Sequence, residues 1–185
     1  MIDFNVSSEQ ELNLRKLANY LLRNGREIYK RGEFDMDTYT ARRTATAEGE
    51  IDYLYVKPAA SVEIRNTTCG TVGCAAGYAP MAGVLPSRDE MTWHTFVREQ
   101  LAPSRDVFGW CFSADWTPID NTPYGAALRI LKMLNFPIAL SIELHRLGQT
   151  VLCDGNYHFN IHCVKPDTYI FRDPVNAKLD EWDHE

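Results

Sequence analysis

The chain has 185 residues, 45% hydrophobic and 24% charged, with mean hydropathy −0.32, which is enough apolar material for one domain with a proper core. Its 19 Lys and Arg against 25 Asp and Glu give a net charge of −6, which argues against general nucleic-acid binding, since that function wants a basic face. No run of about 18 apolar residues occurs, so no membrane span is expected, and the opening Met1-Ile-Asp-Phe-Asn-Val-Ser-Ser8 lacks the basic and apolar regions of a secretory leader.

Ser8-Glu-Gln-Glu11 reads as a capping box, and Leu14, Leu17, Ala18 and Leu21 follow at helical spacing. A helix is therefore predicted over 9–24 with Gly25 as its C-cap, inside an N-terminal helical arm of residues 1–32. Residues 15–43 hold eight Lys and Arg against four Asp and Glu, an excess read as a solvated helix face. Phe34 to Glu50 is polar and reads as a loop with a short helix around 37–43. Ile51-Asp-Tyr-Leu-Tyr-Val56 is β-branched and aromatic, a strand signature that Lys57-Pro58 ends. Ser61-Val-Glu-Ile-Arg65 alternates in polarity, so the two segments offer a hairpin over 51–65.

Ser87 is the expected cap of a helix that ends at Pro103. Thr122-Pro123 opens another, with Ala126, Ala127, Ile130, Leu131 and Leu134 as its buried stripe. Ile138 to Leu144 is either a strand or a short buried helix. Asp154-Gly155 lies between two apolar runs, a hairpin signal, and Lys165-Pro166 marks a second turn before Thr168 to Arg172. The expected fold is α+β: three to four helices plus a small antiparallel sheet from the C-terminal third, in one domain over 1–185 with a frayed acidic tail at 180–185.

The most constrained stretch is Asn66-Thr-Thr-Cys-Gly-Thr-Val-Gly-Cys-Ala-Ala-Gly-Tyr-Ala-Pro80. A loop entering a helix at Thr71 to Cys74 would aim free N–H groups at Cys74 and favour its thiolate. The alternative is that Cys69 and Cys74 are small buried hydrophobes at a tight junction. The run Ala75-Ala76-Gly77 implies close backbone contact on one face. Five cysteines without an export signal are expected to be reduced thiols in a cytoplasm. Gly70-Thr-Val-Gly73 lacks the Lys of a phosphate-binding loop. Cys153, His158, His162 and Cys163 fall together, yet His158 and His162 would stand about 13 Å apart along a strand, so no metal site is expected. No cofactor is expected either.

Val107-Phe-Gly-Trp-Cys-Phe-Ser-Ala-Asp-Trp116 is dense in rings. Read as a strand, it puts Trp110, Phe112 and Trp116 on one face. At least one of the two tryptophans is then expected at the surface beside Asp115 and Asp120, an anchor for a partner. The other reading is a stretch that covers the core.

The pattern Cys69-Gly-Thr-x-x-Cys74-x-x-Gly77, with Phe34-Asp-Met-Asp-Thr-Tyr39 before it and Asp120-Asn-Thr-Pro-Tyr-Gly-Ala-Ala-Leu-Arg-Ile130 after it, resembles small uncharacterised proteins of bacteriophages and bacteria. The resemblance covers roughly residues 34–135. It implies no activity and points to a phage-encoded accessory protein that binds and modulates a host protein in the host cytoplasm. A second resemblance concerns chain order. Cys74 at a helix start, His158 on a strand and Asp173 or Asn176 after the next strand is similar to papain-like cysteine hydrolases. Tyr157-His-Phe and Tyr169-Ile-Phe-Arg-Asp-Pro174 resemble the peptidases that process bacteriocin leaders. That likeness implies Cys74 as nucleophile, His158 as base and Asp173 as its orienting partner. The chain departs from it in having no Gln before the cysteine and no Trp after it.

Overall fold

Ser7 caps the first helix, α1 (Ser8–Lys30), one residue earlier than the sequence pattern suggests: its hydroxyl accepts from the Gln10 N–H at 3.2 Å while the Gln10 side chain accepts from the Ser7 N–H at 3.0 Å. The computed structural model describes residues 3–36, 38–45, 51–67, 71–114, 116 and 121–146. The helix runs through Gly25 rather than ending there. A Cβ at Gly25 would stand 2.9 Å from the Cβ of Pro123, so the glycine admits a crossing helix instead of breaking its own. The true stop is Gly32, at φ +64, where the Gly32 N–H donates to the Tyr29 carbonyl and the Glu33 N–H to that of Ile28. That is a Schellman closure, which satisfies the last orphan carbonyls.

Strand β1 (Ala41–Ala45) follows, then β2 (Ile51–Tyr55). β1 pairs antiparallel with β2 and also with the two-residue β3 (Thr71–Val72), giving the order β2-β1-β3. Of the short helix expected around 37–43, residues 41–43 instead belong to this central strand, which is paired on both sides. Nor does 61–65 pair with 51–56. Pro58 starts a 3-10 turn, Pro58–Ala60, which runs into helix α2 (Ser61–Thr67), and the Ser61 hydroxyl donates to the Pro58 carbonyl at 2.7 Å. Proline's fixed φ and missing N–H suit a first helical position. The sheet of the described residues therefore lies in the N-terminal half. The meander expected over 150–172 and the tail at 180–185 lie outside the described residues.

The remaining helices are α3 (Trp93–Gln100), α4 (Arg105–Phe112), α5 (Pro123–Asn135) and α6 (Pro137–Arg146). Thr92, Ser104 and Thr122 cap α3, α4 and α5, each hydroxyl accepting from the N–H three residues on. Thr92, not Ser87, caps α3. The α5 start at Thr122-Pro123 is as its sequence reads, and Ile138–Leu144 resolves to helix. Mixed helix and strand is thus the fold class.

The core forms where α1 lies along α5. Leu14, Leu17, Ala18, Leu21 and Ile28 of α1 meet Ala126, Ala127, Ile130 and Met133 of α5, joined by Trp110, Phe96 and Leu101. Each such large side chain stabilises the fold by roughly 2 kcal/mol through burial alone. Among the described residues no helix is long and apolar enough to cross a membrane.

Candidate functional site

Residues 71–80 are buried without exception. No α-helix starts at Thr71 to Cys74. The chain forms β3, Gly73 bridges to Phe34, and a 3-10 turn follows at Ala76–Tyr78. The backbone of residues 39–40 lies directly on this turn. A Cβ at Gly77 would fall 1.5 Å from the Tyr39 carbonyl oxygen, and one at Gly73 would meet an Arg65 Nη at 2.1 Å. Arg65 holds the crossing together. It donates to the Thr40 hydroxyl at 3.1 Å and the Val72 carbonyl at 3.4 Å, and its guanidinium sits 3.9 Å from the Tyr78 ring centre. Tyr78 in turn stacks between Tyr20 and Phe34 and donates its hydroxyl to the Glu33 carbonyl.

Cys74 is 3% exposed within this crossing. Burial pushes its thiol up to about 11, against the opposing pull of the Gly77 and Ala76 N–H groups and of Arg65. Desolvation outweighs the backbone donors because the thiolate has no water around it. Of the two readings of Cys74, the structure has the small buried thiol at a tight junction, not a thiol activated at a helix start. His158 and Asp173, its expected partners, lie outside the described residues. Among the described residues no group of three His, Cys, Asp or Glu is placed to hold a metal ion. Limiting iodoacetamide at neutral pH, read by peptide mapping, is expected to modify Cys74 no faster than the protein unfolds. Rapid modification of Cys74 in the folded protein would restore the nucleophile reading.

Trp110, Phe112 and Trp116 are 0%, 3% and 7% exposed. The first part of the aromatic stretch is α4 rather than a strand, so Trp110 and Phe112 sit on a largely covered helix, and Trp116 follows beyond its end. The expected surface tryptophan is thus corrected. The reason is Arg129, fully buried on α5. Its Nε donates to the Trp110 carbonyl at 3.1 Å, the Trp110 indole N–H donates back to the Arg129 carbonyl at 2.8 Å, and the guanidinium lies 4.8 Å from the Trp116 ring centre. Trp110 and Trp116 meet edge to face at 5.1 Å. The carbonyls that Arg129 faces belong to the last turn of α4, which is short of donors and carries the negative end of the helix dipole. A buried cation is tolerable there.

A cleft of about 460 Å³ opens elsewhere, between Tyr39, the outer side of α3 and the start of α4. Buried Val97 and Ala102 with half-buried Phe108 supply its apolar surface, while exposed His94, Arg98 and Arg105 bring basic groups to it. Its walls are fixed by bonds outside it. Gln10 of α1 donates to the Arg98 and Glu99 carbonyls, and Asn13 to that of Gln100, all at 3.2 Å, closing the C-terminal end of α3. The Ser104 hydroxyl accepts from the Val107 N–H and donates to the Asp3 carbonyl. Tyr39 stacks on Trp93 at 5.5 Å and 3°, and the Trp93 indole N–H donates to the Val56 carbonyl at 2.6 Å. Of the carboxylates next to these residues in the chain, Glu99 pairs with Arg88 at 3.4 Å, and Asp106 accepts from the Asp3 N–H at 2.7 Å. Sequence reasoning missed this cleft because its residues form no motif. The one readable signal is His94 and Arg98, four apart on one helix face, just before the break at Pro103.

Comparison with protein-family models, with curated proteins and with solved structures found no match.

Proposed function

We propose that this chain acts by binding: it is a small accessory protein, phage-encoded as its Cys69-to-Gly77 pattern suggests, that binds and modulates a host macromolecule in the host cytoplasm. The cleft between α3 and α4 is its binding face. The observation that carries this reading is the pairing of Arg98 and Arg105 over an apolar floor on a chain whose net charge is −6. A local reversal of sign on an acidic protein selects a partner and its orientation, and adds to its rate of capture. The buried thiol of Cys74 favours this reading over a hydrolase.

Affinity capture from host lysate, comparing the natural chain with Arg98→Glu/Arg105→Glu, tests it. Both side chains are exposed, so the variant is expected to keep its melting temperature. A host protein retained by the natural chain should be depleted about tenfold or more on the variant, a loss of ~1.4 kcal/mol or more in binding. Equal retention by both would show that the cleft is not the binding face.

A further inference from the structure

We infer that the α3–α4 cleft takes an acidic peptide segment of a protein partner, with an apolar side chain set beside its carboxylates. The inference rests on the binding reading above and names the chemistry of the partner. A volume of about 460 Å³ falls in the range of sites that enclose a compact group, roughly 300–1,000 Å³. Val97, Ala102 and Phe108 give that group an apolar seat. Arg98 gives it a cation whose planar fork matches a carboxylate in two bonds, and Arg105 adds a second positive charge at the cleft. Arg98 makes no ion pair among the described residues, so its charge is not already spent on a neighbour. The backbone of the walls is anchored, the end of α3 by Gln10 and Asn13 and the start of α4 by Ser104.

Charge decides between a peptide and a nucleic acid, the other anion that basic and aromatic residues attract. At physiological salt the screening length is about 8 Å. A carboxylate inside the cleft therefore feels chiefly the arginines beside it. A strand of nucleic acid continues past the cleft, with a charge on every phosphate, over a chain that carries 25 acidic residues against 19 basic ones. Its affinity depends on many basic contacts along that path, and the cleft supplies two arginines and a histidine.

The test is fluorescence anisotropy with the full chain and a rhodamine-labelled peptide that alternates Asp and Glu with Phe and Leu. Three comparisons accompany it: the same peptide with Asn and Gln for the acids, the same peptide with Ala for the apolar residues, and labelled oligo(dT). Saturable binding of the acidic-apolar peptide is expected, weakened at least about tenfold by either peptide change and by Arg98→Glu/Arg105→Glu. Oligo(dT) is expected to bind at least about tenfold more weakly, the margin of ~1.4 kcal/mol. Tighter binding of oligo(dT), or no saturable binding of the peptide, would overturn the proposal. If the peptide fails while lysate capture still depends on Arg98 and Arg105, the acidic-peptide assignment falls and the binding face stands. If capture does not depend on them either, both fall together.

Discussion

Gly77→Val is expected to leave little folded protein, and Gly77→Ala to cost about 3 kcal/mol or more, measured by chemical denaturation. The first atom of either side chain would lie 1.5 Å from the Tyr39 carbonyl oxygen and 2.6 Å from the Tyr39 carbonyl carbon. Overpacking a core that can shift costs about 1–3 kcal/mol. Here the obstacle is backbone, and moving it would also disturb β1, which begins two residues later at Ala41, and the Arg65 bond to Thr40. Gly32 supplies the internal contrast. It sits at φ +64 with nothing within 4 Å of its added Cβ. Gly32→Ala should therefore lose only the conformational cost of a left-handed residue, about 1–2 kcal/mol. If Gly77→Ala proved no worse than Gly32→Ala, the crossing at Tyr39 would be open, and the account of the small-residue run would fail.

Trp110→Ala is expected to cost about 3–5 kcal/mol, the range for removing a large aromatic ring from a packed core. Its ring touches Phe4 at 6.0 Å and Trp116 at 5.1 Å between centres, and its N–H is the donor to the Arg129 carbonyl. The loss is therefore one of packing and of a buried hydrogen bond together. Trp110→Phe keeps most of the ring and should recover part of the stability, but not the indole bond. A melting temperature within a degree or two of the natural chain for Trp110→Ala would mean that this face is open to solvent, which would bring back the tryptophan as a surface anchor.

The elements legible in the sequence are those with a local cause. The α1 stripe repeats at helical spacing, and Thr122-Pro123 opens α5, because capping and periodicity act within a few residues. What stayed hidden depends on contacts between distant segments. The sequence of β1 reads as loop with a short helix, since its strand character comes from β2 on one side and β3 on the other. Gly25 reads as a helix end, because nothing nearby in sequence reveals that Pro123 crosses there. Arg129, three after Ala126 and four before Met133, lies on the buried side of α5, but a charge in such a stripe reads as a boundary without the α4 carbonyls beside it. The candidate site was legible least of all. Tyr39 reaches α3 by stacking on Trp93, and Gln10 and Asn13 of α1 hold the end of α3, contacts between distant segments that no spacing encodes.

The most direct test of the binding face is photocrosslinking from within it. A benzoylphenylalanine placed at His94, on the exposed rim of the cleft, is compared in host cells with one placed at Tyr55, which is 71% exposed on β2. The account predicts a discrete crosslinked partner from position 94, lost when Arg98→Glu/Arg105→Glu is added, and none of that product from position 55. The same product from both positions, or one from position 94 that survives the charge reversal, would contradict it.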